Sequence, residues 1–132
     1  MRRTGLARIL VVDDSAFVTT QLSQILVKGG HTIAAVAVSG DDAIACLEAR
    51  ADQIDLVTLD ITMPGTSGVD TLRHIRMHWP QMLCVVVSGI GKKETVLEVR
   101  ELGAAGYIIK PLQRERVLEK ISEVLAESGV VS

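Results

Sequence analysis

No run of apolar residues in this chain approaches the length of a bilayer span. Arg2 and Arg3 lead into a short strand-like run, not into a signal-peptide core with a small-residue cleavage site. A membrane partner is therefore not expected, and a cytoplasmic setting is. A basic excess is also missing. The 14 Lys and Arg against 16 Asp and Glu give a formal net charge of -2, which argues against direct nucleic-acid binding. Cysteine is scarce: Cys46 falls in a helical pattern and Cys84 opens a strand. With no CxxC spacing and no clustered histidine, two small buried thiols are expected in place of a disulfide or a zinc site. His31, His74 and His78 read as surface residues. No interior linker or repeat interrupts the 132 residues, and a chain that is 48% hydrophobic and 23% charged is not disordered. One compact domain over 1–132 is expected, with an ordered core of about 6–127 and a fraying tail at 128–132.

What the chain does have is alternation. Short runs rich in Val, Ile and Leu, at 8–12, 32–38, 54–59, 83–87 and 106–109, predict strands. Between them, 15–28, 41–50, 69–78, 93–102 and 114–127 carry apolar residues at three- and four-residue intervals and predict helices. In the last of these the stripe is Val117, Leu118, Ile121, Val124 and Leu125. Gly29 and Gly30, Pro80 and Gly103 punctuate the first, third and fourth helices. Strand–helix repeats of this length build an α/β fold, a doubly wound five-stranded parallel sheet with helices on both faces. Strand order 2-1-3-4-5 is expected, with the alanine-containing second strand at an edge and the switch point between strands 1 and 3.

Five polar residues follow the apolar runs: Asp13 and Asp14 after ILVV, Asp60 after DLVTL, Ser88 after LCVVV and Lys110 after GYII. In an open α/β sheet the carboxyl ends of parallel strands border one crevice, so these residues are expected to converge. Three carboxylates in one place must raise their pKa values or hold a cation, and oxygen donors of this kind suit magnesium. Lys110 can neutralise a phosphoryl oxygen and Ser88 can donate to another. One carboxylate then remains as a nucleophile able to form an aspartyl phosphate. Blander roles compete: Asp14 as a helix cap, Asp60 as a loop carboxylate before the turn at Pro64, Gly65 and Gly68, Ser88 as turn chemistry, Tyr107 as a strand filler. Lys110, set between an Ile109 expected to be buried and Pro111, is hard to read as ordinary surface charge. Phe17 fits packing and partner docking equally.

The segments VVDDS, LDITMPGTSG, VVVSG and YIIKP, in this order and at these intervals, make the chain resemble the receiver domain of two-component response regulators, most closely the short chemotaxis-type receivers. The resemblance runs from about Arg8 to about Glu127. It implies a flavodoxin-like fold, with Asp60 as phosphoacceptor and Asp13, Asp14, Asp60 and the Thr62 carbonyl around a magnesium ion. It further implies Lys110 as the phosphoryl-binding lysine, a cis bond before Pro111, and Ser88 with Tyr107 as a switch pair that reshapes the surface of helix 4, strand 5 and helix 5, where Lys92 and Lys93 lie. The partners implied are a sensor histidine kinase and a downstream effector such as the flagellar motor switch, with the chain monomeric or dimerising on phosphorylation. The domain would be a signalling switch that catalyses only its own phosphorylation and dephosphorylation. Ile90, two residues after Ser88, brings no polar group toward an attacking water, and a slow autodephosphorylation is expected from it.

A stand-alone regulator fits the absence of an output domain. A receiver cut from a longer regulator with a DNA-binding or enzymatic output, or a phosphorelay shuttle, fits the same residues. An aspartyl-phosphate hydrolase would need an acid/base carboxylate at the position of Thr62. A scaffold that is never phosphorylated would not need the full set of Asp14, Asp60, Ser88 and Lys110. A flavin-binding role lacks a phosphate-cradling loop after the first strand.

Overall fold

The structure, a computed structural model, describes residues 6–62 and 67–128. Its elements in chain order are β1 (Arg8–Val12), α1 (Ala16–Lys28), β2 (Thr32–Ala37), α2 (Gly40–Arg50), a 3-10 turn (Ala51–Gln53), β3 (Leu56–Leu59), α3 (Gly68–His78), β4 (Leu83–Ser88), α4 (Lys93–Glu101), β5 (Gly106–Ile109) and α5 (Arg114–Ser128). The five strands form one parallel sheet in the order β2-β1-β3-β4-β5, as the repeats predict. Among the described residues no helix is long and apolar enough to cross a membrane.

Side-chain alternation along the central strands divides the core in two. Ile9, Val11, Leu56, Val85 and Val87 point to one face and pack with Leu22 and Leu26 of α1 and with Ile121 and Leu125 of α5. Leu10, Val12, Val57, Leu59 and Val86 point to the other and pack with Leu47 of α2, Leu72 and Ile75 of α3 and Val99 of α4. Strands covered on both faces need no polar alternation, which is why β1 and β3 read as nearly continuous apolar runs, with Thr58 the polar member of β3. The edge strand β2 is only partly covered, and Val36 stays exposed.

The starts of α1, α2 and α3 are set by hydroxyl caps. The Ser15, Ser39 and Ser67 side chains accept from the backbone N–H groups of Val18, Asp42 and Val69, so α1 begins one residue later, and α2 and α3 one residue earlier, than apolar periodicity alone predicts. The cap of α1 is Ser15 and not Asp14. Gly103, at φ +103°, ends α4 in a conformation that side-chain-bearing residues rarely adopt.

Several expectations are corrected. β2 stops at Ala37, and Val38 donates its N–H to the Asp42 carboxylate. β3 starts at Leu56 because Ile54 closes the 3-10 turn by bonding the Ala51 carbonyl. His31 is buried: its Nδ1 accepts from the Ala7 N–H at 3.1 Å, a partner 24 residues away. Ile109 is 51% exposed, since it ends an edge strand on its open side. Ser128 belongs to α5, its hydroxyl bonded to the Leu125 carbonyl; the rest of the tail expected to fray, 129–132, lies outside the described residues. So do Arg2 and Arg3, and Pro64 and Gly65 of the turn after β3.

Candidate functional site

Strand ends place the polar residues. Asp13 follows β1, Asp60 follows β3, Ser88 is the last residue of β4 and Lys110 follows β5. At three of these positions the chain leaves the sheet by the same local device. The Asp13 Oδ1 accepts from the Ser15 N–H at 2.9 Å, the Asp60 Oδ1 from the Thr62 N–H at 2.9 Å, and the Ser88 Oγ from the Ile90 N–H at 3.2 Å. Each is a side chain bonding the backbone two residues on, a turn that Asp and Ser form readily. The turn chemistry weighed for Ser88 is therefore present, in a residue that is fully buried.

These turns orient the carboxylates. Asp60 Oδ1 also accepts from the Thr62 hydroxyl at 2.7 Å, which leaves Oδ2 facing Lys110 Nζ at 3.4 Å. Asp13 Oδ2 accepts from the same ammonium at 2.9 Å. Asp13 and Asp60 are buried, at 2% and 3% exposure, whereas Asp14 is open to solvent. Carboxylate oxygens of Asp13, Asp14 and Asp60 lie within 4.8 Å of one another. Lys110 joins its Ile109-side neighbours to this cluster by a backbone N–H bond to the Ser88 carbonyl, and its peptide to Pro111 is cis.

Electrostatics follow from burial and from the shared cation. Burial pushes the Asp13 carboxyl above the ordinary aspartate value, and the Asp60 charge adds to this, although the hydrogen bonds from Lys110 and Ser15 oppose it. For Lys110, burial pulls the ammonium down, but the bond to Asp13 and the charges of Asp60 and Asp13 outweigh it and leave the pKa raised. Three carboxylates against one ammonium retain an excess of negative charge. The donors are all oxygens, one carboxylate faces solvent, and Asp60 and Asp13 keep lone pairs free of the turn bonds. This set fits a hard divalent cation such as magnesium, which takes few protein carboxylates and keeps several waters.

Ser88 and Tyr107 meet at a third residue. The Ser88 hydroxyl holds the Ile90 N–H, and the Tyr107 hydroxyl donates to the Ile90 carbonyl. Burial raises the phenol pKa, against a hydrogen-bond contribution from Ser88, and the charge of Asp60 raises it further. Tyr107 is thus more than a strand filler. Thr62 reaches the cluster through its N–H and hydroxyl. Phe17, four residues after Asp13, is 75% exposed and takes no part in the core, which removes the packing role.

Two contributors were not legible in the sequence. Gly68 at the start of α3 lies against the Asp60 and Ile61 backbone so closely that no Cβ fits there. The Ile90 backbone joins Ser88 to Tyr107, and nothing in its residue type signals that. His74 and His78, read as ungrouped, are stacked on α3 with ring centroids 4.1 Å apart, although their spacing of four is visible in the sequence.

The family model of the response regulator receiver domain matches residues 9–122. The chemotaxis protein CheY of Treponema pallidum is 45% identical over 118 residues, covering 89% of this chain and 82% of that protein. The transcriptional regulatory protein ZraR of Salmonella typhimurium is 35% identical over 124 residues, 94% of this chain but 27% of that protein. Among solved structures, CheY in the CheX-CheY-BeF3-Mg+2 complex from Borrelia burgdorferi superposes with a TM-score of 0.88 at 35% identity, over 90% of this chain and 89% of that one.

Proposed function

This chain belongs to the response regulator receiver family of two-component signalling, and on that footing we propose that it is a phosphorylation switch with Asp60 as phosphoacceptor. The observation that carries the reading is the inequivalence of the two Asp60 oxygens. Oδ1 is held by Thr62, whereas Oδ2 faces the Lys110 ammonium. Oδ2 is the nucleophile. It forms the new O–P bond as the N–P bond of a histidine kinase phosphohistidine breaks, and the electron pair of that bond returns to the imidazole nitrogen. Lys110, already shared between Asp13 and Asp60, takes up one of the phosphoryl oxygens and offsets its charge.

Receiver domains bind Mg2+ at an acidic pocket, and here Asp13, Asp14, Asp60 and the Thr62 carbonyl would hold it. The ion supplies neutralisation of the carboxylates and the incoming phosphoryl group. Ser88 and Tyr107 transmit the change: drawing the Ser88 hydroxyl toward a phosphoryl oxygen releases the Ile90 N–H and alters the peptide that Tyr107 holds. The surface that responds is that of α4, β5 and α5. A groove of about 370 Å³ there is lined by Tyr107, Ile109, Pro111, Arg116, Lys120 and Glu123, a mixed apolar and charged floor suited to a protein effector. Likeness to chemotaxis proteins favours an effector in that pathway, such as the flagellar motor switch, in a cytoplasmic setting. The match to about a quarter of ZraR favours a second reading, a receiver module acting on an attached output domain.

Intact-mass measurement after incubation with acetyl phosphate, with and without Mg2+, tests the chemistry. One phosphoryl group is expected on the parent with Mg2+ and none on Asp60→Asn; equal labelling of the two overturns the assignment. Ser88→Ala is expected to label and yet lose the phosphorylation-dependent gain in effector binding.

A further inference from the structure

The acidic cluster accounts for the hard-oxygen chemistry of the chain but leaves its imidazoles unused. Two of the three histidines occupy one face of α3. His74 and His78 are four residues apart, one helical turn, and so project side by side. Their rings stack with centroids 4.1 Å apart and planes 17° from parallel. The backbone carbonyl of His74 lies 3.0 Å from Nδ1 of His78. A carbonyl only accepts, so Nδ1 carries the proton, and in the neutral ring the lone pair is at Nε2. That arrangement, one ring nitrogen donating to a carbonyl and the other left as a donor of electrons, is the usual preparation of a metal-binding histidine.

We propose that His74 and His78 form a second metal site, a two-imidazole chelate for a borderline divalent transition ion such as Zn2+, Ni2+ or Cu2+. Two nitrogens bound at about 2.0–2.1 Å to a tetrahedral ion lie about 3.3 Å apart, so the stacked rings must turn about their side-chain torsions to aim both lone pairs at one ion. Imidazole suits these ions and not magnesium, which prefers oxygen, so the two sites sort metals by ligand softness. His78 is exposed and His74 partly so, which leaves water to complete the coordination. Asp70, a turn before His74, is tied to Arg73 at 3.0 Å and is not counted among the ligands. His31 is buried with its Nδ1 occupied and does not compete.

The site carries its own reporter. Trp79 is the only tryptophan of the chain, and its ring lies 6.1 Å from His74 and 6.0 Å from His78. Ni2+, added to the full chain in excess Mg2+, is expected to quench Trp79 emission in a saturable way at one equivalent, and Zn2+ is expected to bind with the same stoichiometry by isothermal titration calorimetry. Because a chelate gains from effective concentration, His74→Gln and His78→Gln should each weaken both by about tenfold or more. Asp60→Asn should leave them unchanged. The helical circular dichroism of each histidine variant is expected to match the parent, which separates loss of binding from loss of fold. A smaller effect of either histidine substitution on Zn2+ affinity overturns the chelate, as does a Ni2+ response that disappears with Asp60→Asn.

Discussion

Replacing Gly68 by alanine sets two forces against each other. Gly68 is the first residue of α3, and its φ is not in the left-handed region, so propensity alone makes Gly68→Ala stabilising by about 0.5–1 kcal/mol. The surroundings reverse the sign. A Cβ at this position would stand 2.7 Å from the carbonyl oxygen of Asp60 and 2.9 Å from the carbonyl carbon of Ile61, and closer still to the Ile61 Cα. These are backbone atoms between a fully buried strand and a capped helix, so they cannot rotate away as a side-chain tip would. Ordinary contact needs about 3.5–4.0 Å, so α3 or the strand end must move by roughly 1 Å. Overpacking of this kind costs about 1–3 kcal/mol, which leaves a net destabilisation of about 2 kcal/mol once the propensity gain is subtracted from the upper end. For a chain of this size that lowers the thermal midpoint by about 6–10 °C. The displaced backbone carries the proposed nucleophile, and a misplacement of about 1 Å reduces reactivity on the order of 10²-fold. Thermal melts and the rate of labelling by acetyl phosphate measure the two effects. Gly89→Ala, where a Cβ meets nothing within 4 Å, is the control and should melt within about 0.5 kcal/mol of the parent. A Gly68→Ala protein that melts at or above the parent would refute the steric argument.

Three further outcomes follow from the packing. Burial holds the His31 pKa below its ordinary value, and its Nδ1 is an acceptor in the fold, so the unfolded chain protonates first as pH falls. Its contribution is complete above the ordinary histidine range, about 6.5, and declines as pH drops through it; the parent should lose more of its thermal midpoint between pH 7.5 and 5.5 than His31→Gln, and equal losses would count against this. Arg8 bonds both oxygens of Asp55, at 3.0 and 3.1 Å, but it is 40% exposed and Asp55 keeps the Arg8 N–H at 2.7 Å. Arg8→Ala should therefore cost only about 1 kcal/mol in urea unfolding, and an unchanged midpoint would show the pair to be inert. Burial pushes the Cys84 thiol up to about 12, so a thiol reagent should titrate at most Cys46 in the native chain and both cysteines in denaturant, with two fast native equivalents as the contrary result.

The elements visible in the sequence were those that leave a pattern in residue type. Apolar runs gave away β1, β3 and β4, both faces of which are covered, whereas the caps Ser15, Ser39 and Ser67 went unread although their bonds span only two or three residues, and three helix starts moved by one residue. Burial that depends on distant partners was not visible. His31 follows two glycines and reads as surface, yet its acceptor role comes from Ala7, and Ile109 reads as buried by type although its edge position exposes it. The candidate site divides in the same way. Strand-end position picked out Asp13, Asp60, Ser88 and Lys110, whereas the peptide of Ile90 and the closeness of Gly68 to Asp60 arise only when separate units dock. His74 and His78 read as separate surface residues, although a spacing of four puts them on one helix face, and their ring stacking depends on rotamers that no residue pattern encodes.

Lys110 and Asp13 are 97 residues apart, and in the sheet two strands, β3 and β4, stand between theirs. The cation therefore arrives from an edge while the carboxylates sit on the central strands. An opening confined to the edge strand β5 withdraws the positive charge and leaves the acidic residues where they were. Sub-global openings of this kind take less free energy than complete unfolding. The charge balance of the site thus depends on the docking of one edge strand as well as on the stability of the whole, and a ligand that clamps that edge would tune reactivity without touching a single acidic group.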